Sequence, residues 1–302
     1  MSNTISATNI SSEESISPVL KANRSLLFIV LVPGFVAGVL EALGLGSGLS
    51  LALGGVAMLL VLGRMFRGTE YSPLQLLRGS KAINIPLALG LTALLLAANE
   101  GSLFFLGAFV PALLDVVPPL AASSPLDTVF LFVGGVLLAP FYEELVFRGV
   151  ALNTYSKLRS PIFAVVFTAI IFAFIHGSLA QGLAILPMGI VLALVVLKTG
   201  QLWTAIVVHA LHNLVALIAG QFGMYEAGGT PLVGLVGLAV AILAVLVAVK
   251  WVGWVQAEAA SSELQEADAE RKLWSASLIA VVLIGIASVA ATTYMAFAGM
   301  SL

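Results

Sequence analysis

The sequence predicts an all-α polytopic membrane protein with about nine transmembrane helices and a cytoplasmic amino terminus. Hydrophobic residues make up 60% of the 302 residues and charged residues only 9%, whereas roughly a quarter of the residues in a soluble domain are charged. Apolar runs near the roughly 20-residue length that crosses a bilayer follow one another along the chain. Lys and Arg are concentrated in alternate loops, as the positive-inside rule requires.

The apolar runs predict the spanning helices one by one. They are Leu26–Leu43, Leu49–Leu62, Ile83–Ala98, Thr128–Val150, Ile162–Ile175, Leu183–Leu197, Leu202–Ala219, Leu232–Val249 and Leu278–Phe297. The further apolar piece Ser102–Leu114 either extends the third span or lies along the membrane interface. Prolines at positions 118, 119 and 125 break the chain before the fourth span.

These runs divide the chain into four parts. The polar residues 1–21 predict a disordered cytoplasmic tail, and residues 22–125 the N-terminal transmembrane helices. Residues 126–219 form a central core in which polar residues interrupt the apolar spans. Residues 220–302 are expected to add C-terminal transmembrane helices and a polar cytoplasmic segment over residues 256–272.

Basic residues predict the orientation. With the amino terminus inside and nine spans, every Lys and Arg except Arg148 falls on the cytoplasmic side. A wrong span count would scatter these charges over both sides, although a skipped pair of spans would escape the test. We therefore expect a multi-pass protein of the cell membrane with its carboxyl terminus outside.

Composition excludes several functional classes. Cysteine is absent, which excludes disulfides, thiolate metal ligands and cysteine nucleophiles. The net charge of -2 and the lack of a basic stripe argue against a nucleic-acid partner.

The fourth span contains three charged side chains. A charge at the centre of a bilayer costs roughly 2.5 to 3.5 kcal/mol on insertion scales, so a functional site is the default hypothesis. Glu144 and Arg148 are four residues apart and can pair on one helix face. Glu143 points about 100° round the helix and is left without a cation on its own helix.

All three histidines lie inside or at the edge of later spans: His176 in the fifth, His209 and His212 in the seventh. Asn213 shares a helix face with His209. Counted at 1.5 Å per residue from the nearest cytoplasmic turn, Glu143 and His176 lie at a depth of roughly 21 to 22 Å and His209 at roughly 16 Å. We expect three helices to bring these side chains together.

Such a cluster suits hydrolysis by activated water. A buried carboxylate can serve as the general base, and a histidine can share the proton of the water. An asparagine amide and an imidazole N–H can face the developing oxyanion. A serine nucleophile is less well supported, because no Gly-x-Ser-x-Gly or Ser-Lys arrangement lies near the cluster.

Three motifs in this order resemble the CAAX protease and bacteriocin-processing family of intramembrane proteases, which includes the type II CAAX prenyl endopeptidases. They are Glu-Glu-x-x-x-Arg at residues 143–148, Phe-x-x-x-His at 172–176 and His-x-x-x-Asn at 209–213. The resemblance covers residues 126–219 and implies that this core is catalytic. It also implies an intramembrane endopeptidase whose substrate is a peptide or a lipid-modified protein, such as a prenylated protein.

The resemblance implies a role for each motif residue. Glu143 would activate the hydrolytic water with help from His176, and His209 with Asn213 would stabilise the oxyanion. The supporting residues would be Glu144 and Arg148, which form an ion pair, and Phe172, which packs beside His176.

No cofactor is expected, because the family's favoured mechanism depends on glutamate and needs no metal. Zinc remains open, since two histidines and a glutamate can form a catalytic zinc site. Its ligands would then be Glu143, His176 and His209, although the compact His-Glu-x-x-His helix is missing. His212 is extra to the motif and is assigned no role.

Two other functional classes remain open besides the enzyme. One is a membrane scaffold or regulator of the same family that does not use proteolysis. The other is an ion-coupled transporter, but the sequence lacks the inverted repeats and paired broken helices that would favour it. The expected partners are the peptide or protein substrate and membrane lipids.

Overall fold

The chain forms a bundle of helices in the computed structural model. The structure describes residues 17–114, 122, 124–221, 230–253 and 273–300, and none of these lies in a strand. The predicted polar segment 256–272 and residues 1–16 of the predicted tail fall outside the described residues.

The helices of the described ranges are named here in chain order. They are α1 (Pro18–Ala42), α2 (Ser47–Met65), α3 (Pro73–Gly79), α4 (Ile85–Phe109), α5 (Pro125–Leu158), α6 (Pro161–Phe174), α7 (Leu179–Thr199), α8 (Leu202–Gln221), α9 (Pro231–Val252) and α10 (Ala276–Ala298). A single 3₁₀ turn, Pro111–Leu113, follows α4.

Eight helices within the described ranges are long and apolar enough to cross a membrane: α1, α2, α4, α5, α7, α8, α9 and α10. The expected fifth span is α6, which is apolar but only 14 residues long. At 1.5 Å per residue it covers about 21 Å, less than the roughly 30 Å of a bilayer core. The predicted all-α polytopic membrane fold is confirmed, with one of its nine apolar segments too short to cross alone.

Helix ends differ from the predicted boundaries where a cap is present. The first helix begins at Pro18, because the Ser17 hydroxyl accepts a hydrogen bond from the Leu20 amide at 3.3 Å. Residues 18–21 of the predicted tail are therefore helical. The stretch from Ser102 extends the third span, since α4 runs without a break to Phe109.

Helix α5 lies at the centre of the bundle and packs against α1, α2, α6 and α8. Two of its stretches, Phe132–Leu138 and Leu145–Leu152, are π-helical, and an α-helical piece, Ala139–Glu144, separates them. Such wide turns are rare and frequently occur at functional sites. In the first stretch a Cβ on Gly134 would lie 2.7 Å from the Ala52 amide nitrogen, so only glycine allows α5 and α2 to approach so closely.

The start of α5 caps another helix. The N-cap residue of α2 is Gly46, which has no side chain to bond the free amides of the first turn. The carboxylate of Asp127 on α5 is buried and accepts a hydrogen bond from the Gly48 amide at 2.8 Å. A negative charge is also favourable at a helix N-terminus. Asp127 therefore fixes the start of α2 against the start of α5.

Candidate active site

Glu144 ties two helices together from the middle of α5. Its side chain is completely buried, and Oε1 accepts hydrogen bonds from Arg148 Nη1 and from His209 Nδ1, both at 2.9 Å. Hydrogen bonds between charged groups are about twice as strong as neutral ones. Glu144 thus holds the imidazole of His209, on α8, against α5.

Arg148 extends this connection to two more helices. Its guanidinium is 1% exposed, and Nη2 donates to the carbonyl of Gly189 on α7 at 3.3 Å. Its Cζ lies 4.6 Å from the centre of the Phe172 ring on α6, within the range of a cation–π contact. Arg148 therefore has a partner on α5, α6 and α7.

Glu143 differs from its neighbour in what surrounds the carboxylate. Its side chain is 15% exposed, and Oε2 lies 3.8 Å from His209 Nε2, which is too long for a hydrogen bond. Among the residues that the structure describes, neither Glu143 Oε2 nor Glu144 Oε2 has a hydrogen-bond partner, but Glu144 is bonded through its other oxygen, Oε1. A buried polar atom without a partner is costly to folding, so Glu143 Oε2 is a candidate for chemistry.

His176 lies in the turn that follows α6, and its tautomer follows from its contact. Its Nδ1 is 2.7 Å from the carbonyl oxygen of Phe172. A carbonyl can only accept, so Nδ1 carries the hydrogen and Nε2 of the neutral ring is left as an acceptor. The turn continues through Gly177, whose φ of 70° favours glycine. From α10, the Thr292 hydroxyl lies 2.9 Å from the Gly177 carbonyl oxygen.

The Phe172 ring is the common neighbour of the site. It makes edge contacts with the rings of His176 at 5.0 Å, His209 at 5.7 Å and Phe147 at 5.1 Å between centroids. Edge-to-face packing of this kind fixes the orientation of each ring. His176 therefore joins the carboxylate cluster through Phe172.

Two further polar side chains of α8 lie next to the cluster. Asn213 donates from Nδ2 to the carbonyl of Gly135 at 2.9 Å, within the first π-helical stretch of α5. This leaves the second amide hydrogen of Asn213 free of that contact. His212 is buried, and its Nδ1 has no hydrogen-bond partner in the described part of the chain.

The structure therefore joins the predicted residues in two ways. Glu143, Glu144, Arg148 and His209 lie together directly, whereas His176 and Asn213 are held beside them by Phe172 and by the π-helical turn. Sequence reasoning missed three groups: the carbonyls of Gly189 and Gly135, and the hydroxyl of Thr292. The first two are backbone atoms, for which a residue pattern carries no information.

The arrangement does not fit the zinc ligand set considered above. Within the described residues, no three His, Asp or Glu side chains are grouped so that they could hold a metal ion. Nδ1 of His209 is bonded to Glu144 and Nδ1 of His176 to a carbonyl, so the remaining nitrogen of each ring is Nε2.

The helices that form the site match a known protein family. Residues 125–215 match the model of the family described as "Type II CAAX prenyl endopeptidase Rce1-like". The predicted family resemblance is confirmed. The matched part, called the Rce1-like region below, runs from the start of α5 into α8 and contains all three motifs. The family is a peptidase family.

Part of the chain is also similar to a curated protein. Over 115 residues the chain is 30% identical to the UPF0177 protein YbdI of Lactococcus lactis subsp. lactis (strain IL1403). The match covers 36% of this chain and 62% of the relative, so it spans about three fifths of that protein's length. Among the solved structures, none matches the chain significantly.

Proposed function

We propose that the protein is an intramembrane endopeptidase of the CAAX type that hydrolyses a peptide bond with water activated by Glu143. The observation that carries the proposal is the buried Glu143 Oε2, which lacks a hydrogen-bond partner among the described residues and faces His209 Nε2 at 3.8 Å. The match of the Rce1-like region to a peptidase family supports the same reaction class.

Glu143 is the general base of this reaction. A water molecule between Glu143 and the substrate carbonyl gives a proton to Glu143 Oε2 while its oxygen bonds to the carbonyl carbon. The acceptor nitrogen of His176, Nε2, receives a hydrogen bond from the same water and orients it. The proton on Glu143 then passes to the leaving nitrogen as the carbon–nitrogen bond breaks.

The oxyanion of the tetrahedral intermediate is stabilised from α8. The amide hydrogen of Asn213 that does not bond Gly135 is one donor. His209 already gives the hydrogen of Nδ1 to Glu144, so its Nε2 donates to the oxyanion as part of an imidazolium, whose charge the Glu144 carboxylate balances. Donors that are held in place before the reaction lose nothing in reorganisation, which makes them effective. The bonds from Asn213 to α5 and from His209 to Glu144 supply this rigidity.

Glu144 and Arg148 support the site without touching the substrate. Their ion pair is buried, and it holds His209 from α8, the Phe172 ring from α6 and the Gly189 carbonyl from α7. A displacement of about 1 Å in such a site can cost roughly a hundredfold in rate.

A peptide or protein within the membrane is the substrate class that this site fits. The catalytic side chains lie among apolar helices, so a segment that enters the bilayer can reach them. A prenylated protein of the CAAX type or a membrane peptide meets this requirement. The Lys and Arg pattern of the loops supports an amino terminus in the cytoplasm of the cell membrane.

The variant Glu143→Gln tests the proposed base. It keeps the shape of the side chain but removes the proton acceptor, so we expect cleavage of a peptide and prenyl-peptide library to fall at least roughly a hundredfold. The matched control is Glu100→Gln, which makes the same change in α4, outside the Rce1-like region. Unchanged turnover by Glu143→Gln would refute Glu143 as the base. No cleavage by the wild type of any library member would favour the scaffold function.

Treatment with strong chelators tests metal dependence. Because no three His, Asp or Glu side chains of the described residues are grouped so that they could hold a metal ion, we expect cleavage to be unchanged after chelation and dialysis. The measurement is the turnover of one library substrate before and after treatment, with zinc added back as the control. Loss of turnover that zinc alone restores would establish a metal-dependent reaction.

A further inference from the structure

A groove with an apolar wall and two cationic groups lies between α1 and α2, outside the Rce1-like region. Its volume is about 610 Å³, within the range of roughly 300 to 1,000 Å³ that is typical of small-molecule sites. The wall is formed by aliphatic and aromatic side chains of the two helices, among them Leu27, Phe28 and Leu60. Arg24, Arg64 and Ser277 contribute the polar groups.

The two arginines have no acidic partner in the described part of the chain. Both are exposed, and neither forms an ion pair with a described residue. The other lining residues carry no charge. As far as the described residues go, the groove presents two guanidinium groups without an acidic partner beside an apolar surface, which is complementary to an anion with a hydrocarbon chain.

Three helix ends set the level of these arginines. α1 and α2 are joined by a short turn and run antiparallel, so Arg24 near the start of α1 and Arg64 near the end of α2 lie at the same end of the pair. The α10 helix also begins there, because Asn23 Nδ2 donates to Ser275 Oγ at 2.8 Å. Arginines at the end of membrane helices place their charge at the headgroup level.

We propose that this groove is a binding site for an anionic phospholipid. The lipid phosphate accepts hydrogen bonds from Arg24 and Arg64, and an acyl chain lies along Leu27, Phe28 and Leu60. Basic pockets between membrane helices are known to bind anionic headgroups. The guanidinium fork suits a phosphate particularly well, because it donates two parallel hydrogen bonds. No step of the proposed peptidase reaction involves this site.

Lipid binding is measured on the full chain in detergent. The protein is placed in mixed micelles that contain phosphatidylglycerol and phosphatidylcholine with identical acyl chains. Native mass spectrometry then measures how many molecules of each lipid stay bound to the protein. We expect the wild type to prefer phosphatidylglycerol, and the double variant Arg24→Gln with Arg64→Gln to lose roughly thirtyfold of that preference. The matched control, Lys21→Gln with Arg67→Gln, removes the same charge from α1 and from the turn just after α2 without altering the lining, and should keep the preference.

Further arms separate the possible results. Replacement of both arginines by lysine keeps the charge and should retain most of the preference for phosphatidylglycerol. This variant still tests the proposal if the glutamine variant does not fold. Glycerol 3-phosphate at millimolar concentration should not displace the lipid, because it lacks the acyl chains. Equal retention of the two lipids by the wild type would overturn the proposal, and so would an unchanged preference in the glutamine variant. Displacement by glycerol 3-phosphate would reduce the groove to a site for free phosphate.

Discussion

Helix α5 buries carboxylates in two regions, in its first turn and at its middle. The hydrogen-bond donors that surround these carboxylates differ between the two regions. Asp127, 5% exposed, accepts a hydrogen bond from the amide of Gly48 at the start of α2. In the middle, Glu144 Oε1 accepts hydrogen bonds from Arg148 and His209. Among the described residues, Glu144 Oε2 and Glu143 Oε2 have no hydrogen-bond partner, so only Glu144 is bonded through one of its oxygens. One helix therefore contains a carboxylate that stabilises packing and one whose burial opposes it.

The difference separates structural from chemical use of a buried charge. A helix N-terminus satisfies a carboxylate with neutral donors that are already fixed, so Asp127 adds stability. Glu143 Oε2 has no such bond to a described residue, and the charge of Glu144 next to it makes its burial harder. Proteins tolerate unsatisfied groups of this kind mainly at functional sites, where stability is given up for activity. Variants that remove one carboxylate or its partner test this division.

The largest effect on stability is expected from Arg148→Met. The change leaves the carboxylate of Glu144 buried beside Glu143 without its cation, and breaking a buried ion pair from one side costs about 3 to 5 kcal/mol. The measurement is the free energy of unfolding in detergent. The double variant Glu144→Gln with Arg148→Met should recover part of the loss, because it removes the stranded charge. Wild-type stability in the single variant would mean that the pair does not hold the helices together.

A smaller loss is expected from Asp127→Ala, which removes the cap of α2. Loss of an N-cap side chain costs about 0.5 to 2 kcal/mol. Asp127→Asn should cost less, because the amide oxygen can still accept from Gly48. Both variants should keep the turnover of wild type at temperatures where they are folded. Loss of turnover in folded Asp127→Asn would remove the distinction between the two regions.

The sequence predicted the membrane fold because apolar length is a local property that each span carries by itself. It also predicted which helices carry the charged residues, because a charged side chain within an apolar span can be recognised from the sequence alone. It could not predict the contact of Asp127 with Gly48 or of Arg148 with Gly189, because their partners are backbone atoms distant in the chain. The π-helical stretches of α5 were not predicted from the sequence either. The orientation of the termini stays a prediction.

The smallest effect is expected from Thr292→Val on α10, outside the Rce1-like region. The hydroxyl of Thr292 bonds the carbonyl of Gly177 in the turn that carries His176, but it also lies 3.0 Å from the Ser288 carbonyl of its own helix. The bond to the turn therefore competes with a local one. A net hydrogen bond of about 0.5 to 1.5 kcal/mol corresponds to a two- to tenfold fall in kcat.

We expect KM to stay unchanged in Thr292→Val, because the turn orients a catalytic group rather than the substrate. Thr292→Ser should restore the rate, since serine supplies the same hydroxyl. Thr293→Val, one residue along α10, is the matched control and should keep full activity. A wild-type kcat in Thr292→Val would show that α6 and Phe172 position His176 without help from α10. The positioning of His176 would then depend entirely on residues of the Rce1-like region.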